Sequence, residues 1–166
     1  MAYVILSPYQ YNGRMATLAT HKTALREYSI LKTIEAGIAL KGTEVKAAKS
    51  GHARISESYA KFNARGELML INSYIGPYGK STPAQQHHSY RTRTLLLNKR
   101  ELQSLKANTA GKNLTIVPLR MYTVRQGLIK LELGLAKGKK EHDKRQAIKD
   151  RDSKRELDRT LKKYTH

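Results

Sequence analysis

Residues 128–136 (LIKLELGLA) alternate in a period of two, with Ile129, Leu131, Leu133 and Leu135 on one face against Lys130, Glu132 and Gly134 on the other. A strand with one apolar face needs a cover for that face. A partner lies just upstream, because residues 113–124 are β-leaning and are separated from it only by the turn Arg125-Gln126-Gly127. Residues 53–63, with Ile55, Tyr59 and Phe62, and residues 67–75 form a second pair around Ala64-Arg65-Gly66. Further strands are expected over residues 28–40 and 92–97. Strands this numerous, joined mostly by short turns, favour a closed antiparallel barrel, which leaves no exposed edge.

Two short helices interrupt the strands. Residues 43–50 have Thr43 as the expected N-cap and Gly51 as the C-terminal stop. Residues 98–107 open on Asn98-x-x-Glu101, a variant of the capping box, and present Leu102 and Leu105 for burial. Residues 76–90, rich in Gly, Pro, Ser and Gln and containing His87 and His88, read as a mobile loop. No internal repeat is found.

Charge narrows the function. Thirty-two Lys and Arg against thirteen Asp and Glu leave +19 over 166 residues. So large a surplus is usually kept for a polyanionic partner. Residues 137–166 hold twelve basic and six acidic residues, a net of +6, whereas the body before them carries +13 with seven Glu and no Asp. That shift, near Gly138, marks the expected boundary: an N-terminal extension over 1–23, a barrel over 24–136 and a basic tail over 137–166.

In the tail, Glu141–Arg145, Asp150–Lys154, Lys154–Asp158 and Asp158–Lys162 are opposite charges four residues apart that support a helix. Only Ile148, Leu157, Leu161 and Tyr164 offer apolar surface, too little for stable docking on the body. The tail is therefore expected to order on a partner.

Several function classes are set aside. With no Cys there is no disulfide framework, thiolate zinc site or Cys nucleophile. Tyr3-Val4-Ile5-Leu6 is too short for a signal-peptide core, and no apolar run approaches the ~20 residues of a membrane span, so a cytoplasmic protein without membrane contact is expected. His87-His88, with no nearby carboxylate, is a poor ligand pair, so neither a metal nor another cofactor is expected. No phosphate-binding loop, nucleophile elbow or acidic cluster for Mg²⁺ is present, and the chain is read as a binding protein rather than an enzyme.

Four blocks then carry a resemblance: Glu35-Ala36-Gly37-Ile38-Ala39-Leu40-Lys41-Gly42-Thr43-Glu44-Val45-Lys46, Leu95-Leu96-Leu97-Asn98-Lys99-Arg100-Glu101, Val117-Pro118-Leu119 and Gly138-Lys139-Lys140-Glu141-His142-Asp143-Lys144-Arg145. Their order and spacing closely resemble the small protein B family, the bacterial tmRNA-binding (SsrA-binding) proteins. The resemblance implies an OB-like six-stranded antiparallel barrel with short helices and a basic C-terminal tail. It also implies binding to the tRNA-like domain of tmRNA and delivery of that RNA to stalled bacterial ribosomes. There the tail would lie in the empty mRNA path near the decoding-site rRNA and fold as a helix. The chain departs from the family pattern at His21, Ala47, Ser89, Tyr90 and Thr94.

The residues expected on the tmRNA face are Lys22, Arg26, Glu35, Lys46, Lys49, His52, Arg91, Arg93, Leu96, Asn98, Lys99 and Arg100. Arg supplies stacking and bidentate phosphate contacts, and Lys supplies point charge. Arg54 lies beside them at the exit of the first helix. Glu35 either accepts from base N–H groups, or orients an Arg, or is a strand-surface carboxylate paired with a cation. Leu96 either underlies a splayed base or fills the barrel core. For the tail, contacts to the ribosome are expected from Lys139, Lys140, His142, Asp143, Lys144, Arg145, Lys149, Arg151, Arg155, Leu157, Arg159, Leu161 and Lys162. The protein is expected to act as a monomer. A structural ribosomal protein or general RNA chaperone is the second reading, and a non-catalytic domain of an RNA-processing enzyme the third.

Overall fold

The structure is a computed structural model that describes residues 16–124 and 127–139. Its strands are β1 (Thr17–Thr20), β2 (Tyr28–Ile38), β3 (Ala53–Arg54), β4 (Tyr59–Phe62), β5 (Leu68–Ile71), β6 (Tyr74–Ile75), β7 (Arg93–Leu96), β8 (Leu114–Thr123) and β9 (Ile129–Gly138). Three α-helices lie between them: α1 (Ala24–Glu27), α2 (Gly42–Lys49) and α3 (Lys99–Thr109). β8, β4, β5, β7, β2 and β9 follow one another antiparallel, and the β8–β9 pairing closes them into a ring of six. This is the OB-like barrel expected from the sequence.

The long ribbons carry the ring. β2 runs against β9 from Tyr28↔Gly138 to Gly37↔Lys130, and β9 runs against β8 from Leu114↔Lys137 to Thr123↔Ile129. The β9 alternation does what its pattern requires: Ile129, Leu131, Leu133 and Leu135 are all buried. Each contributes about 1.5–3 kcal/mol relative to exposure. Ile55, Leu68, Leu70, Ile75, Leu95, Leu105, Ile116 and Met121 complete the core. The β4–β5 hairpin turns where Asn63 Oδ1 accepts the Arg65 and Glu67 N–H groups, at 3.0 and 2.9 Å, while Gly66 takes φ +80°.

Several boundaries differ from the sequence expectation. Residues 53–63 form two strands in two different sheets, because Ser58 turns the chain by bonding the Ile55 carbonyl through both its N–H and its hydroxyl. Residues 67–75 break likewise at Asn72, whose φ of 60° ends β5, and its side chain donates to the Glu57 carbonyl at 3.2 Å. Sheet pairing starts ahead of residue 24, since β1 pairs with β8 over Thr17↔Tyr122 to Thr20↔Arg120. Thr43 is not the cap of α2. Lys41 is, with its N–H donating to Glu44 Oε2 at 2.7 Å, while the Thr43 hydroxyl lies 2.9 Å from His87 Nδ1.

Residues 76–90 are stitched down rather than loose. His87 is buried, with Nε2 3.0 Å from the Ile75 carbonyl, and Gln86 bonds both backbone polar groups of Tyr78. Leu102 is half-buried against the core, and Leu105 is fully buried as expected. The helix expected in the tail lies outside the described residues.

Candidate nucleic-acid interface

β2 organises the outer surface because its two ends carry different groups. Tyr28, at one end, pairs with Gly138, and Gly37, near the other, pairs with Leu96 and Lys130. They are nine positions apart along the strand, about 30 Å at ~3.3 Å per residue.

At the Gly37 end, Leu96 is 57% exposed, which excludes the core-filling alternative. Gly37 makes room for it: a Cβ there would lie 3.3 Å from Leu96 Cβ. Glu35 lies two residues away, half-exposed, and its carboxylate accepts hydrogen bonds from Lys130 Nζ and the Tyr122 hydroxyl. Partial burial would raise its pKa, but these bonds and the Lys130 charge outweigh that and hold Glu35 below the ordinary glutamate value. Burial first, and the neighbouring Glu35 carboxylate second, push the Tyr122 phenol up. Tyr122 therefore stays a neutral donor. The Arg120 guanidinium packs 4.9 Å from the Tyr122 ring centroid and bonds Glu132 at 3.2 Å. The structure thus gives Glu35 a paired cation, but the partner is Lys rather than Arg.

The chain leaves β7 through Asn98, whose N–H donates to Glu101 Oε2 at 3.1 Å and starts α3. Asn98, Lys99 and Arg100 are all exposed there, beside Leu96. Lys46 and Lys49 project from the last turn of α2. A Cβ on Gly127, whose φ of +75° closes the β8–β9 connection, would lie 2.8 Å from Lys49 Nζ, so this ammonium sits at the tip of the ribbon carrying Lys130. His52 follows, exposed.

Two of the expected contacts are redirected. Arg93 does not face the surface: its side chain is 0% exposed and donates to Glu44, Ser73, Arg91 and Ser89. The ring closure that pairs β7 with β5 and β2 turns it inward. Arg91 is largely taken up by Glu44 and the Ala39 carbonyl. Burial favours a neutral Glu44, but hydrogen bonds from Arg91 and the Lys41 N–H, with the charges of Arg93 and Arg91, hold its carboxyl below the usual range. Burial likewise lowers Arg93, against the opposing pull of Glu44.

Lys22 and Arg26 lie at the opposite end of β2. Lys22 is exposed, and Arg26 donates to Glu27 at 3.1 Å. Lys139 is also at this end. Its N–H donates to the Glu27 carbonyl and its ammonium to the Leu25 carbonyl, each at 2.9 Å, which ties the root of the tail to α1. Lys140, His142, Asp143, Lys144, Arg145 and the remaining tail residues lie outside the described residues. Sequence reasoning missed the roles of Tyr122 and Lys130 beside Glu35. The outward parity of Lys130 was a signal, whereas nothing local marks Tyr122.

Fold and surface together define a class: a basic OB-like barrel whose outside carries cations, an exposed leucine and an anchored carboxylate, a form suited to looped or unpaired nucleic acid. The family model described as "SmpB protein" matches residues 18–163. An SsrA-binding protein of Flavobacterium johnsoniae is 47% identical over 144 residues, 87% of this chain and 94% of the relative. One from Chlorobaculum tepidum is 43% identical over 159 residues, 96% of this chain and all of the relative. A chain in the solved structure "tmRNA-SmpB: a journey to the center of the bacterial ribosome" is 44% identical with a TM-score of 0.62, covering 78% of this chain and 92% of that one. The chain belongs to the SmpB family.

Proposed function

We propose that this protein binds the tRNA-like domain of tmRNA and delivers it to stalled ribosomes for trans-translation, acting as a monomer in the bacterial cytoplasm and by binding rather than catalysis. The observation that carries the reading is the exposed Leu96 seated over Gly37, with the anchored Glu35 two residues along β2. The exposed Lys99 and Arg100 follow β7, Lys49 lies at the tip of the ribbon that carries Lys130, and Lys46 is exposed on α2. An apolar contact for a splayed base, flanked by phosphate-binding cations, is how proteins grip the loops of a folded RNA. The tail leaves from the far end of β2, where Lys139 is tied to α1. That placement supports separate roles, with the barrel holding tmRNA and the tail meeting rRNA in the mRNA path.

The test compares the tRNA-like domain with an ordinary tRNA at equal salt, using the native chain, Glu35→Ala and Lys46→Ala. A clear preference for the tRNA-like domain, weakened in both variants, is expected. Equal affinity for the two RNAs favours a general RNA binder instead.

A further inference from the structure

β3 and β6 form a two-stranded sheet of their own, outside the ring that carries Glu35 and Leu96. Arg54 and Tyr74 are direct cross-strand partners in it. The Arg54 guanidinium lies 4.7 Å from the Tyr74 ring centroid, and the other neighbour of Tyr74 is the Tyr90 ring, 5.1 Å away at 54°. The guanidinium and the two tilted rings cluster at the surface, with Arg54 and Tyr90 exposed.

Beside this cluster an open cleft of about 390 Å³ is lined by His52, Arg54, Tyr74, Gly76 and Pro77 among others, and none of its lining residues is acidic. Its floor is firm. The Gly76 N–H donates to the His52 carbonyl at 2.8 Å, and a Cβ on Gly76 would lie 3.2 Å from the Tyr74 hydroxyl and 3.3 Å from His52 Cβ. A side chain there would make Tyr74 or His52 give way by a few tenths of an ångström. Lys46, five residues before Gly51 at the edge of the cleft, is exposed and lies 5.4 Å from the Tyr78 ring centroid.

We infer that this cleft binds one unpaired nucleotide of RNA, its base laid on the outer face of the Arg54 guanidinium and its phosphate met by the cations of α2. A base can be taken there because a guanidinium plane held against one ring on one face can stack on a second on the other. Tyr74 already orders Arg54, so little rotamer freedom is lost when the base arrives. The inference rests on the RNA-binding reading above and extends it to a second sheet. The nucleotide comes either from tmRNA or from rRNA, and the experiment separates these.

The full chain is titrated with the single-stranded pentanucleotide of adenylate, and with inorganic polyphosphate as a charge control, while backbone amide shifts are followed by NMR. The pentanucleotide should shift Ala53, Arg54 and Gly76, and polyphosphate should not. Arg54→Ala and Arg54→Lys should each weaken pentanucleotide binding about tenfold, the second because it keeps the charge and loses the plane. Arg54 is exposed, so neither variant threatens the fold. Arg54→Ala is then measured against the tRNA-like domain and against the small ribosomal subunit, and the arm that weakens identifies the source of the nucleotide.

Equal shifts with polyphosphate, full binding by Arg54→Lys, silent cleft amides or undiminished affinity in both arms would each overturn the inference. Tight binding of the tRNA-like domain by the native chain, alongside silent cleft amides, removes the cleft alone. Failure to bind that RNA at all removes the wider reading.

Discussion

Glu44 and Arg93, forty-nine residues apart, meet at 2.9 Å with neither side chain exposed to solvent. Around that contact Arg93 also donates to the Ser73 carbonyl and hydroxyl at 2.7 and 2.9 Å and to the Ser89 carbonyl at 3.0 Å. One guanidinium therefore joins α2, the β5–β6 corner and the segment entering β7. Through Glu44 it sets how α2 seats on the barrel, and thereby where Lys46 and Lys49 project.

Glu44→Gln should destabilise the fold by about 3–5 kcal/mol, because it leaves a buried guanidinium without its counter-charge. Urea unfolding of the native chain and the variant measures this. A loss under about 1 kcal/mol would show that Arg93 is adequately served by its carbonyl partners.

Acid should act through the same carboxylate. Its folded pKa is held below the ordinary value of 4.5, so its contribution is fully present above about pH 4.5 and is lost as pH falls through the folded value. Between pH 6 and pH 3 the thermal midpoint of the native chain should fall more steeply than that of Glu44→Gln. Parallel curves for the two would contradict the assignment.

Leu96→Ala should separate binding from stability. The side chain is mostly exposed, so unfolding should move by no more than about 0.5 kcal/mol. Affinity for the tRNA-like domain should fall by about 1–2 kcal/mol, roughly five- to thirtyfold. Filter binding alongside a melting curve reads both.

Salt should weaken the complex steeply, with log affinity linear in log salt. Lys46→Ala should reduce the magnitude of that slope by about 1, the loss of one phosphate contact. Arg93→Lys, by contrast, should leave the slope unchanged in whatever fraction of the protein folds, since Arg93 does not reach the surface.

Deletion after Lys140 should leave affinity for the tRNA-like domain within a few-fold while abolishing peptide tagging on stalled ribosomes. The root of the tail is fixed to α1, about 30 Å along β2 from the Leu96 end. Replacing His142, Asp143 and Arg145 together by Ala should weaken tagging in the same assay. Binding lost in step with tagging would make the tail part of the RNA clamp.

The barrel was legible from the chain because its cues are local. Alternation along β9, the Ala64-Arg65-Gly66 turn and the Asn98–Glu101 cap each lie within a few residues, and the structure keeps all three. The breaks at Ser58 and Asn72 were not legible, because a strand ends where the ring needs a corner, whatever its propensity. Basic composition likewise announced a polyanion partner without saying which cations face it.

Arg91 and Arg93 look alike in sequence, two residues apart, one just ahead of β7 and the other its first residue. Ring closure makes one a half-exposed companion of Glu44 and the other its buried counter-ion. Leu96 shows the converse, an apolar side chain left in solvent because it alternates with the buried Leu95 along β7 and pairs with Gly37, which has no side chain to cover it. Local pattern dictates which residues become strands and turns, since backbone periodicity and turn conformation depend on near neighbours. Which face each side chain finally meets depends on contacts between residues forty to a hundred positions apart, and only the closed barrel brings those together.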